Sequence, residues 1–285
     1  MIPVRSNAVK VGIAGAGLLG RLLGLELLAK GWQVSLFDSD DRRGKASCGY
    51  VAAGMLAPLS EMVIAEKLLY ELGLVSLQRW PSILASLDQA VHFQQKGTLL
   101  TAHPRDRDEL THMAAKLTRN VPQSGCIRLL PQTEAQDLEP ELQWHDQVYH
   151  LTLEGQVSSV ELLPALAQKI MTAGAHWHES CKVEQVYPGL IICKNKSYEF
   201  DMVFDCRGLG AKSDYPDLRG VRGELIWLQA PAVKLHHPIR LIHPRYPLYI
   251  VPRPHDIYVI GASQIESEDF SPISLRSALE LLSAA

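Results

Sequence analysis

The sequence predicts an α/β chain in which a Rossmann-like, dinucleotide-binding domain is joined to a second, α+β domain built on a mixed, largely antiparallel sheet. Three observations predict it. A glycine-rich turn near the N-terminus lies between a short strand-like run and a leucine-rich helix, and short strand-like segments recur toward the C-terminus. The chain has 285 residues, 47% hydrophobic and 21% charged. That is enough to bury the core of one or two domains, and it excludes a disordered or fibrous protein.

Taken in order, residues 1–5 are lightly basic and residues 9–19 are apolar, which loosely imitates a secretory signal. Three glycines and Arg21 break that run, and strand, turn and helix explain the same residues better. Residues 9–14 (VKVGIA) form the strand, Gly15-Ala16-Gly17-Leu18-Leu19-Gly20 the turn, and Leu22, Leu23, Leu25, Leu27 and Leu28 one broad face of the helix. Gly31 stops the helix. A second strand, residues 33–37 (QVSLF), ends in Asp38, 23 residues after the first glycine. This is a βαβ unit of the dinucleotide-binding kind.

Each part has a physical task. Gly15 permits the tight turn, Gly17 lets backbone approach a diphosphate, and Gly20 lets helix and strand pack closely. The unpaired N–H groups and positive dipole end of the helix favour an anion, and the Asp38 carboxylate can accept from ribose hydroxyls. An acid there argues against a 2′-phosphate and so against NADP. It leaves NAD and FAD open.

Charge and cysteine content narrow the remaining classes. Twenty-eight Lys and Arg against 31 Asp and Glu give a net charge of −3 without a basic block, which argues against nucleic acid as a partner. The five cysteines, Cys48, Cys126, Cys181, Cys193 and Cys206, are scattered and never spaced as a C-x-x-C pair. They suggest a reducing, cytoplasmic compartment and no structural zinc. No apolar run approaches the ~20 residues needed to span a bilayer, so no membrane partner is expected.

Residues 46–58 (ASCGYVAAGMLAP) are small and nearly uncharged, which suits a loop beneath a large flat cofactor. With the glycine turn, this stretch, Tyr249-Ile250-Val251-Pro252-Arg253, Gly261-Ala262-Ser263 and Asp205-Cys206-Arg207-Gly208-Leu209-Gly210, the chain resembles the glycine oxidase branch of the D-amino-acid oxidase family of flavoproteins. Weaker landmarks fall in the same order: Gly97-Thr98-Leu99-Leu100, Glu139-Pro140-Glu141-Leu142, Gly155-Gln156-Val157 before a helix over 159–171, and Val221-Arg222-Gly223-Glu224. The resemblance covers nearly the whole chain.

It implies FAD as cofactor and oxidative deamination of glycine or a small amino acid, by hydride transfer from the α-carbon to flavin with oxygen as acceptor. It also implies a link to thiamine synthesis, and it allows a homo-oligomer. Most of that chemistry is the cofactor's, so few acid or base side chains are required.

The site residues implied are Gly15, Gly17, Gly20, Asp38, Ser47, Ala53, Gly54, Met55, Val183 and Gly208 for the cofactor, with Val183 as a backbone contact to adenine. Tyr249 is the substrate contact, because a phenol donates to a carboxylate from an apolar wall. On the residues alone Tyr249 is a sheet tyrosine and Met55 simply packs. Residues 1–80 and 151–218 are expected to form the FAD-binding domain, and 81–150 and 219–285 the substrate domain.

Two departures stand out. The cofactor loop from Ser47 to Gly54 is slightly longer than the family pattern. The chain also stops at Ala285, where the family continues into a segment bearing a carboxylate-binding arginine and a second glycine-rich stretch, so a truncated substrate domain is expected. Arg245 and Arg253 are candidates to replace that arginine, although both read first as surface residues. His176 with His178 and His236 with His237 lack the further ligands a metal needs. Glu61, Glu66, Glu71 and Arg79 read as the solvated face of a helix over 60–80. Three alternatives stay open: an NAD-dependent dehydrogenase, a flavin amine dehydrogenase using another acceptor, and a truncated non-catalytic flavin-binding remnant.

Overall fold

The computed structural model describes residues 8–63, 66–142, 146–243 and 248–284. The basic segment 1–5 and Arg245 lie outside the described residues. The chain packs as two units, one of residues 1–52, 86–91 and 159–219, the other of residues 53–85, 92–158 and 220–285.

The first unit is built on a four-stranded parallel sheet in the order Met202–Asp205, Lys10–Ala14, Gln33–Phe37, His176–His178. Val11, Ile13, Val34 and Leu36 are fully buried on one face with Leu27 and Ile170 of the helices Leu18–Ala29 and Ser159–Thr172. Ala14 and Phe37 face the other side, against Val183, Ile191 and Cys193. Burial on both faces is why these strands read as nearly continuous apolar runs. Gly31, at φ +78°, ends the first helix with its N–H on the Leu28 carbonyl at 2.9 Å.

An antiparallel meander, Val183–Tyr187, Leu190–Cys193 and Lys196–Glu199, completes this unit. Val183 pairs with Cys193 there, and Cys181 and Cys193 are joined as a disulfide. A reducing compartment does not predict that bond. Spacing alone concealed it, because the hairpin register, not the 12-residue separation, brings the two together.

The second unit carries a seven-stranded sheet in the order Leu225–Gln229, Ile257–Gly261, Leu248–Arg253, Ile239–Ile242, Thr98–Ala102, Val148–Leu151, Ile127–Leu129. Every neighbouring pair is antiparallel except Ile239–Ile242 with Thr98–Ala102. Side chains alternate along Leu248–Arg253 with the period of two of a strand. Tyr249 and Val251 join Ala53, Met55, Leu225 and Val259, whereas Leu248 packs with Ile260 and Leu281.

The expected boundaries near 80 and 150 differ from those in the packing. Residues 53–85 join the second unit because Met55–Leu56 pairs with Gly155–Val157, and Leu59, Met62 and Tyr70 enter its core. The expected helix over 60–80 is two helices, Pro58–Glu61 and Lys67–Ala85, and the second runs on through Pro81. Its exposed face carries Leu68, Leu69, Leu72 and Val75 beside the expected charges. Among the described residues no helix is long and apolar enough to cross a membrane.

Candidate functional site

The glycine turn of the first unit is fixed by contacts that a side chain would destroy. Gly15 sits at φ +91°, and a Cβ there would lie 2.4 Å from the carbonyl oxygen of Cys206, just after the strand Met202–Asp205. A Cβ on Gly20 would fall 2.0 Å from the Gly15 carbonyl oxygen. Gly17 is different. It is the N-cap of the helix Leu18–Ala29, no side chain caps that helix, and a Cβ on Gly17 would meet only Ser47 Oγ, at 3.2 Å. Two of the glycines therefore close the turn on itself, and the third leaves bare backbone beside free helix N–H groups. That cradle fits a diphosphate.

Asp38 reaches back to the turn. Its Oδ2 accepts from Ala16 N at 2.5 Å and its Oδ1 from Asp40 N at 2.8 Å. A carboxylate has about four acceptor positions, so two remain for hydroxyl donors. Ser47 caps the short helix Cys48–Val51 by accepting from Gly49 N at 3.2 Å. Gly208, at φ +56°, opens the turn after Asp205, and a Cβ there would meet nothing within 4 Å. Val183 buries its side chain with Ala14 and Phe37, the residues that end the two strands flanking the turn. The structure thus gathers Gly15, Gly17, Gly20, Asp38 and Ser47 at one turn and sets Val183 and Gly208 on neighbouring elements.

Arg21 was missed as part of this assembly. It is 1% exposed, and it donates from Nε to Ala16 O at 2.6 Å and from Nη1 to Leu163 O at 2.6 Å and Arg42 O at 2.9 Å. The guanidinium lies over Trp177, and burial draws its pKa down to about 10 against the nearby Asp38, Asp40 and Asp41. A charged residue inside a leucine-rich helix was the available signal. Its partners, up to 142 positions away, were not.

Ala53, Gly54, Met55 and Tyr249 belong to the second unit. Ala53 and Met55 share an apolar cluster with Tyr249, Val251 and Val259. Gly54, at φ +68°, is obligatory because a Cβ would lie 2.0 Å from Val157 O. Arg253 is not the surface residue expected. It is 8% exposed and donates to Ala53 O, to Gln156 Oε1 and, at 3.1 Å, to Val157 O. Its fork pins the loop that carries Met55. Gly261 stands opposite Tyr249 in register, and a Cβ there would lie 2.7 Å from the phenol oxygen, so the missing side chain makes room for the ring.

The histidine pairs have other tasks. His178 stacks on Phe37 at 4.2 Å. His236 and His237 present their backbone N–H groups to the buried Glu139, each at 2.6 Å.

Residues 10–285 match the family described as FAD dependent oxidoreductase (DAO). The chain is 32% identical over 278 residues to a Rhizobium etli protein named as a thiamine biosynthesis oxidoreductase, ThiO, covering 97% of this chain and 78% of that one. It is 25% identical over 295 residues to a glycine oxidase of Geobacillus kaustophilus, covering 96% of this chain and 75% of the relative. In fold it resembles the crystal structure of glycine oxidase from Geobacillus kaustophilus, with a TM-score of 0.80 at 22% identity over 97% of this chain and 77% of that one. A glycine turn open to a diphosphate and a family match over almost its full length agree: the chain belongs to the DAO family of FAD-dependent oxidoreductases, and its cofactor is FAD.

Proposed function

We propose that this protein is an amino-acid oxidase that deaminates glycine or another small amino acid and uses oxygen as electron acceptor. The observation that carries the reading is the shared cluster of Ala53, Met55 and Tyr249, which sets a phenol in an apolar wall beside the small-residue loop. Likeness over most of the chain to proteins named ThiO and glycine oxidase supports it, and it suggests a product used in thiamine synthesis.

In this reading the first unit is the FAD-binding domain. Gly15 and Gly20 shape the turn, Gly17 and the helix N-terminus receive the diphosphate, and Asp38 accepts from ribose hydroxyls. Ser47, Gly208 and the backbone of Val183 complete the hold from this unit. FAD, when bound, supplies the hydride acceptor for the α-carbon–hydrogen bond and passes the electrons to oxygen.

The second unit is the substrate domain. Burial, and more weakly Glu61, pushes the Tyr249 phenol above its ordinary range against the pull of Arg240. Tyr249 therefore stays protonated through neutral pH and donates to the substrate carboxylate. The apolar wall around it excludes water from that bond.

Assay of the purified holoprotein for peroxide with glycine, N-methylglycine and small D-amino acids tests the proposal. Peroxide release is the expected result. Turnover only with an artificial electron acceptor would replace the oxidase with a dehydrogenase.

A further inference from the structure

The disulfide between Cys181 and Cys193 lies close to the glycine turn, within the first unit. Both cysteines pack with Ala14 and Phe37, the residues that end the two strands flanking that turn. Cys48, Cys126 and Cys206 keep free thiols. The backbone beside Cys181 is tied to the acid that serves the ribose. Cys181 N donates to Asp38 O at 2.7 Å, and Ser180 N donates to Asp40 O at 3.3 Å. Asp38 in turn accepts from Ala16 N inside the turn. One covalent bond and two hydrogen bonds therefore lead from Cys193 to the glycine turn.

The disulfide holds a place where the strand ladder is weak. Val183 faces Cys193, and the next paired residues are Gln185 and Ile192, so the register slips by one residue between them. A bulge of this kind interrupts the ladder and bends the strand. Cys181 itself lies before the strand Val183–Tyr187 begins. With the sulfur–sulfur bond cut, residues 180 and 181 keep their hydrogen bonds to Asp40 and Asp38 but lose their covalent anchor to the strand Leu190–Cys193. Asp38 stays at the end of the strand Gln33–Phe37, so its position loosens while the parallel sheet stays folded.

We propose that Cys181 and Cys193 form a redox site that sets how tightly the first unit holds FAD, tighter with the disulfide closed and looser with two thiols. The inference rests on the FAD cradle and not on the amino-acid oxidase reading. Hydrogen peroxide is the oxidant. One thiolate attacks a peroxide oxygen, the O–O bond breaks with release of water, and the second thiol displaces another water from the sulfenic acid so formed. Two thiols and one peroxide thus give one disulfide and two waters. A dithiol reductant runs the opening step, returning two electrons and two protons and leaving as its own disulfide. Cys181 is 6% exposed and Cys193 1%, so either reagent enters through local opening of the hairpin. In the open state FAD affinity falls in proportion to the fraction of molecules that still present Asp38 correctly.

The test compares FAD release from the loaded protein in two states, one treated with hydrogen peroxide and one with dithiothreitol, each reagent then removed. Alkylation of the denatured protein, mapped by mass, should leave Cys181 and Cys193 unlabelled in the first state and label both in the second. Dilution, followed by the fluorescence of freed FAD, should give a Kd about tenfold higher in the reduced state, and peroxide should restore it. Cys193→Ser should match the reduced protein after either treatment. Asp38→Ala holds FAD more weakly from the start, and reduction should change its Kd by less than about twofold because the route through Asp38 is gone. The site is overturned if Cys181 and Cys193 are labelled after peroxide, or if both wild-type states release FAD alike. It is equally overturned if Asp38→Ala loses as much on reduction as wild type does, the mark of a bond that only stabilises the fold. Should Cys193→Ser fail to fold, the two wild-type states and Asp38→Ala decide.

Discussion

At Gly20 a single methyl group would have to occupy space 2.0 Å from a backbone carbonyl oxygen, whereas at Gly17 the nearest atom is a serine hydroxyl 3.2 Å away. The two positions therefore separate stability from binding. Gly20→Ala gains about 1 kcal/mol of helix propensity. The carbonyl belongs to the turn and cannot step aside, so strain should dominate and leave the variant about 1–3 kcal/mol less stable by chemical denaturation. Gly17→Ala should stay within about 0.5 kcal/mol of wild type. Its FAD affinity should nonetheless fall by about tenfold, which fluorescence titration with FAD checks. Equal stability losses at both positions would contradict the distinction. The turn glycines and Asp38 were legible in the sequence because their partners lie in one βαβ unit. Arg21 and Arg253 were not, since the carbonyls they hold are 142 and up to 200 positions away.

Elements are held by side-chain anchors whose titration can be read. Glu224, just before the strand Leu225–Gln229, is 5% exposed and accepts from Arg222 Nη2 at 2.6 Å, Ser274 N at 2.9 Å and Ser274 Oγ at 3.1 Å. It thereby ties the start of the helix Leu275–Ala284 to the sheet. Burial alone would raise its pKa, but the bonds from Ser277, Ser274 and Arg222 outweigh burial and hold it at about 2 against an ordinary 4.5. A depressed carboxylate stabilises fully above its unfolded value, and the contribution disappears as pH falls through the folded one. Wild type should lose this part of its stability between pH 4.5 and about 2, and Glu224→Gln should be less stable at neutral pH with a flatter curve in that window. Thermal melts across the range provide the check, and parallel curves for the two proteins would count against the anchor. The strand after Glu224 was legible as a short apolar run, Leu225-Ile226-Trp227-Leu228. The break between the helices Pro58–Glu61 and Lys67–Ala85 was not, because an apolar pattern at helical spacing continues across it.

On the scale of the whole molecule, the parallel sheet and the mixed sheet follow from two hydrophobic patterns, continuous runs where both faces are covered and alternation where the faces differ. The βαβ unit was legible from its own residues, the mixed sheet came with the family resemblance, and neither gave the limits of the units. A two-stranded pairing, Met55–Leu56 with Gly155–Val157, decides where residues 53–85 pack, and so short a match leaves no trace in periodicity. The same pairing, with the Arg253 fork, fixes the Ala53–Met55 loop within the second unit. The central claim is that the opening turn receives the diphosphate of FAD. Equilibrium titration of the purified protein with FAD, and with NAD in parallel, tests it most directly. Saturable binding of one FAD per chain with no binding of NAD is the predicted result; a colourless protein that takes up NAD and leaves FAD free in solution would contradict it.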